Sequence, residues 1–321
     1  MTVPLEPDAE HGAEPEPPRP RRARVLLAGV VLALFAAMLV ARILPAAGLE
    51  QTAVFYVGIP AVIAIAVILT ARPKSPVGVA IATTTVGLAL AGPLLGEGIV
   101  CLVVAAPLFY GVAAAVGLLV QQFREQRRGA FVVAPLLFAV LVEGVGGSSM
   151  LPRDDAGTAS TVVEAPADAF AAALAAEPAY GEPEAVFLRS LPFPLPVRAT
   201  GTGIDVGDVR HVTFTPRRSL GLGSQSTPRS MSLRVVHSET SDDGGRVVFD
   251  VTADSTLARW MDLRSAEVRW SAAGERTEAT WTLRYRRTFD PSWYFGPVQR
   301  STTDLAAGYL LDTFAAAAQG A

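Results

Sequence analysis

Hydrophobic positions fall along this chain in two different rhythms. Between Val25 and Met150 apolar residues run almost without interruption, whereas from Leu151 onward they alternate with polar ones. Five apolar stretches meet or approach the ~20 residues that a helix needs to cross a bilayer. They are Arg24 to Pro45, Ala53 to Ala71, Pro76 to Gly96, Gly98 to Val120 and Phe131 to Gly147, the last interrupted by Glu143. Four breaks separate them, "AAGLEQ", "RPKS", "GEG" and "QQFREQRRG". The pattern predicts an all-α membrane bundle of about five transmembrane helices over residues 24–149, behind a Pro- and Glu-rich tail (residues 1–23) with almost nothing to bury.

After a linker at residues 150–157 the period shortens. "TASTVVEAP" reads as a strand and "ADAFAAALAAE" as a helix with Phe170 and Leu174 on one face. "EPEAVFLRSL" is a second short helix before the "PFPLP" break. Period-two alternation then takes over. "VRATGTG" and "DVRHVTFTP" are joined by a turn; "SMSLRVVHSET" and "RVVFDVTAD" form one hairpin, "MDLRSAEVRWS" and "TEATWTLRYRR" another. The last strand puts Trp281, Leu283 and Tyr285 on one face. A long helix follows from Pro291 to about Ala318, with Asp290 placed to cap it and Pro291 in its first turn. Helices and an antiparallel sheet in this order make an α+β domain over residues 158–321, a curved antiparallel sheet covered by a long C-terminal helix.

Charge orients the membrane half. Arg19, Arg21, Arg22 and Arg24 flank the first span, Arg72 and Lys74 the second break, and Arg124, Arg127 and Arg128 the fourth. The first and third breaks carry only Glu50 and Glu97. Basic residues mark the cytoplasmic side, so this multi-pass protein is expected to keep its N-terminus in the cytoplasm and its C-terminal domain outside. A net charge of −3 excludes a nucleic-acid platform. The one cysteine, Cys101, excludes an intrachain disulfide.

Candidate chemistry is sparse. Glu143 is the one deep ionisable side chain of the apolar half; it is either a functional intramembrane carboxylate or one that reaches the outer interface. Of three histidines, His237 shares a face by alternation with Met231, Leu233 and Val235, the face expected to be concave. There it would orient a ligand, act as a base, or simply be hydrogen-bonded at a strand end. Glu267 is expected in solvent, and Arg284, Arg286 and Arg287 form an exposed face. No spacing suggests a metal site, "GLGSQS" is no nucleophile elbow and "GTGIDVG" no dinucleotide fingerprint, so neither metal nor cofactor is expected.

"TVVEAPADAFAAAL" at the domain start and "TWTLRYRRTFDPSWYFGPVQRSTTDLAAGYLLDTF" at its end resemble the START-like, or SRPBCC, helix-grip superfamily, which includes polyketide cyclase and dehydrase-like proteins. The resemblance implies a deep apolar cavity between sheet and helix, of the kind in which many relatives hold lipids, sterols or polyketides. His237, Trp281, Leu283, Tyr285, Trp293 and Tyr294 are the expected ligand-binding residues. The expected partners are the lipid bilayer and a hydrophobic small molecule or lipid; oligomeric state is not legible. The favoured function is non-catalytic binding. The alternatives are a membrane-anchored cyclase- or hydratase-like enzyme using His237 or Tyr285, and an interaction domain whose cavity has closed.

Overall fold

A computed structural model describes residues 21–43, 59–71, 73–95, 99–124, 143, 149–190, 193–217, 227–257 and 261–320. Four helices come first: α1 (Arg21–Ile43), α2 (Ile59–Thr70), α3 (Pro76–Leu95) and α4 (Ile99–Arg124). Then follow β1 (Asp154–Val163), α5 (Ala167–Ala175), α6 (Val186–Ser190), β2 (Pro196–Thr200), β3 (Val209–Arg217) and β4 (Thr227–Ser241). The chain ends with β5 (Gly244–Asp254), β6 (Met261–Ala273), β7 (Arg276–Arg287) and α7 (Ser292–Gln319).

The seven strands form one antiparallel sheet in the order β1-β7-β6-β5-β4-β3-β2. Strands β2 to β7 meander, and β1 returns to pair with β7, matching Ala159 to Trp281 and Gly157 to Leu283. Side-chain alternation gives the sheet one apolar face, from which Val235, Val247, Phe249, Val268, Trp281, Leu283 and Tyr285 are buried. Helix α7 covers that face together with α5, and Leu311 and Phe314 complete the core. This is the helix-grip fold. At β1 the strand and α7 are held close: Thr158 N donates to Asp304 Oδ1 at 2.7 Å and Arg300 pairs with Asp155 at 2.6 Å.

The start of α7 is built differently from its sequence expectation. Asp290 does not cap it but pairs with Arg153 at 2.5 Å. Pro291 is the N-cap residue and Ser292 the first helical one. Its first donors go instead to Glu143, 149 residues away in sequence: Glu143 accepts from Ser292 N at 3.1 Å and from the Ser292 hydroxyl. Met150 N adds a third bond at 2.6 Å. A carboxylate at a helix N-terminus answers both the orphan N–H groups and the macrodipole. The structure thus places Glu143 at the junction between the apolar half and the long helix. Arg287, expected on an exposed face, is buried beside that junction and donates to the carbonyls of Leu151 and Pro152 at 2.9 and 2.8 Å. It lies two residues after Tyr285 and so continues the inward register of β7.

Glu267 departs from expectation for another reason. It lies on the outer face, yet is only 5% exposed, because Arg246, Arg269 and Arg284 from neighbouring positions of the sheet close over it. Burial pushes its pKa up, but hydrogen bonds from Arg246 and Arg269 outweigh that and hold it at about 2. A depressed native pKa stabilises the fold above the unfolded-state value and loses that contribution as protons bind. Thermal stability is therefore expected to fall from about pH 4.5 to about pH 2 more steeply in the wild-type chain than in Glu267→Gln, as read by circular dichroism. Parallel curves would contradict this assignment.

In the apolar half, Val31 and Phe35 of α1 pack on Ala64 of α2, with Val86, Ala89 and Leu90 of α3 against them. Helices α3 and α4 touch through Gly117, where an added Cβ would fall 2.5 Å from Val77 Cα. Many apolar side chains on these helices face outward, among them Leu26 (70% exposed) and Val62 (68%). Among the described residues one helical segment, Leu102–Arg124, is long and apolar enough to cross a membrane, while Val25–Ala36 and Pro76–Ala91 are shorter apolar helices. The described helices therefore do not support a bundle of five full spans. The expected fifth span lies outside the described residues apart from Glu143.

Candidate ligand cavity

The concave face and α7 do not close on each other. Strand residues Val212, Leu233, Phe249, Ala266, Trp281 and Leu283 form the floor of a 630 Å³ cavity. The roof is one stripe of α7 at helical spacing, Phe295, Val298, Thr302, Ala306, Leu310 and Phe314. At the Phe295 end the wall continues into the apolar half, with Leu88 of α3 and Leu102 and Phe109 of α4. The volume lies within the ~300–1,000 Å³ usual for small-molecule sites. The cavity is open, against the alternative of a domain whose cavity has closed.

Of the residues expected to bind ligand, Trp281 and Leu283 line this space. The Trp281 ring stacks on Phe314 with centroids 5.2 Å apart. Tyr285 continues the same face but sits beyond the cavity, fully buried beside Thr303; burial pushes its hydroxyl up to about 12. Trp293 is 41% exposed on the far side of α7. Tyr294 turns to α4, where its hydroxyl donates to Val104 O at 2.6 Å.

His237 lies off the cavity. A register shift between Val235 and His237 pairs Val235 with Phe249 but His237 with Val248. Because Phe249 faces inward, the inserted residue Val236 turns His237 to the outer face, as a β-bulge does. Its Nε2 lies 3.2 Å from Glu239 Oε1. A base role in the cavity is thereby removed, and the acid–base alternative with it loses its main residue.

Strict alternation missed the most polar feature. Arg210 of β3 shares the inward face with Val212 and Phe214 and is 5% exposed. Among the described residues it is the only charged side chain lining the cavity. Nη2 donates to Leu174 O at 2.8 Å and to Gly203 O at 3.5 Å. Its guanidinium carbon lies 5.6 Å from the Phe249 ring centre and 5.9 Å from that of Phe314, within cation–π range. Burial pulls its pKa down, opposed by Tyr180, Asp208 and Glu177. Tyr180, also on the wall, is pushed up to about 12 by burial despite Arg210. The other polar side chains are mostly satisfied locally: Thr302 and Thr303 donate to carbonyls of their own helix and Tyr309 to Gly181 O. Such a wall can enclose a hydrophobic body and fix one polar end. Among the described residues no three His, Cys, Asp or Glu side chains gather as a metal site.

No protein-family model matches the sequence, and no curated protein does. Solved structures align with about half of this chain at low identity. A Thalictrum flavum norcoclaurine synthase variant in complex with a transition-state analogue is 12% identical, covering 52% of this chain and 95% of its own, with a TM-score of 0.34. The ginseng (Panax ginseng) major latex-like protein 151 is 15% identical, covering 49% and 99%, with a TM-score of 0.27. A Chromobacterium violaceum protein is 12% identical over 49% of this chain and 96% of its own, with a TM-score of 0.28.

Proposed function

We propose that this chain is an integral membrane protein whose helix-grip domain binds a hydrophobic small molecule or lipid without transforming it. The observation that carries the reading is the 630 Å³ cavity, walled almost throughout by aliphatic and aromatic side chains. Transfer of apolar surface from water into such a space is favourable at ~25 cal/mol per Å², so a hydrophobic occupant gains affinity without specific chemistry. The outward apolar side chains of α1 to α4, such as Leu26 and Val62, favour a lipid surround over water. The apolar stretches of the sequence support a multi-pass arrangement on the same ground.

Binding is tested with N-phenyl-1-naphthylamine, a neutral apolar fluorophore, and the full-length chain held in amphipol. Energy transfer from tryptophan should rise and saturate, since Trp281 lines the cavity. A linear, unsaturable rise would overturn the reading. Orientation is a separate expectation from the basic loops: a reporter fused after Ala321 and active only outside the cytoplasm should give signal. Signal from a cytoplasm-only reporter would reverse the topology.

A further inference from the structure

A cavity built only for hydrocarbon would have no reason to hold a guanidinium. Removing a charge from water is costly unless it is paired, and Arg210 is 5% exposed. Among the described residues no carboxylate lies within ion-pair distance of it. Its Nη2 is engaged with backbone carbonyls, whereas Nε and Nη1 make no hydrogen bond to a described residue. Tyr180 stands on the same wall as a second polar group, its hydroxyl bonded to no described residue. The rings of Phe249 and Phe314 hold the cation in place without neutralising it.

Position along α7 adds a direction. Arg210 lies against Phe314, near the C-terminal end of the helix, whereas the contacts with α4 are made near Tyr294 and Phe295. About five helical turns, ~28 Å at the α-helical rise, separate Phe295 from Phe314. One leaflet's share of a ~30 Å hydrocarbon core is ~15 Å. An acyl chain of that length fits along the stripe with its head at one end.

We infer that the cavity takes an anionic amphiphile, a hydrocarbon chain ending in a carboxylate or phosphate, with the head on Arg210 and Tyr180 and the chain running along α7 towards α3 and α4. This rests on the hydrophobic-binding reading above and names the class of its ligand. Guanidinium suits both oxyanions, since its planar fork donates two parallel bonds to either.

The test is displacement of N-phenyl-1-naphthylamine from the full-length chain by oleate, 1-oleoyl-lysophosphatidate and neutral oleyl alcohol. The wild-type chain should prefer at least one anion over the alcohol by roughly tenfold or more. Arg210→Met should erase that preference while still taking up the neutral fluorophore, and Arg210→Lys should keep part of it. Preference for oleate identifies the carboxylate, preference for lysophosphatidate the phosphate. Equal displacement by alcohol and anions in the wild-type chain would overturn the inference, as would an undiminished preference in Arg210→Met. If Arg210→Met loses the fluorophore site altogether, the wild-type ratio and Arg210→Lys decide. Failure of the wild-type chain to bind the fluorophore or any of the three compounds would instead remove the hydrophobic-binding reading, and this inference with it.

Discussion

Gly157→Val is expected to lower the melting temperature of the full-length chain by roughly 10 °C. Gly157 sits in β1 where α7 crosses it, and a Cβ there would fall 2.6 Å from both the carbonyl carbon and the Cβ of Thr303. Asp304 N would be 2.7 Å away. The obstructing atoms are largely helix backbone, so no side-chain rotation relieves the clash. Relief requires moving α7 off β1, which stretches the bonds from Thr158 to Asp304 and from Arg300 to Asp155. Overpacking typically costs about 1–3 kcal/mol, and a backbone clash belongs at the upper end. Gly181→Ala, where an added Cβ meets nothing within 4 Å, should leave the transition in place. Equal melting of Gly157→Val and wild type would mean that β1 and α7 are not in contact.

The largest effect on binding is expected from filling the cavity. Ala266 projects from β6 and Ala306 from α7 into the same space. Replacing both by tryptophan puts one indole on the floor and one on the roof. Affinity for N-phenyl-1-naphthylamine should drop on the order of a hundredfold, since a ligand must then displace packed aromatic surface to gain its own burial. Because the indoles enter empty volume, melting should stay the same or rise, the reverse of overpacking. Undiminished affinity would place the fluorophore elsewhere on the molecule.

Much of this fold is legible in the sequence because alternation in a half-buried strand is a strong physical signal. Trp281, Leu283 and Tyr285 alternate as the buried face of β7, and the turns before Gly244 and at Gly274 close the two long hairpins. The failures have identifiable causes. Period-two reading assumes an unbroken ladder, and the insertion at Val236 carried His237 to the other face. Apolar patterning marks burial only for apolar side chains and so passes over Arg210, although its position two and four residues before Val212 and Phe214 places it on the inward face. Glu267 reads as solvated by alternation, since a carboxylate closed over by Arg269 of its own strand and by Arg246 and Arg284 of the two flanking strands has little local signature. The contact of Glu143 with the start of α7 has no local signature, since its partner lies 149 residues further on. Hydrophobicity counted residues and could not show that the wall of the cavity extends to Leu88 and Phe109.

Native mass spectrometry of the full-length chain, released from the membranes in which it was made, tests the central claim most directly. The expected result is a population carrying one non-covalently bound hydrophobic molecule, lost in the Ala266→Trp/Ala306→Trp chain. A bare mass for the wild-type chain, or the same adducts on both chains, would contradict it.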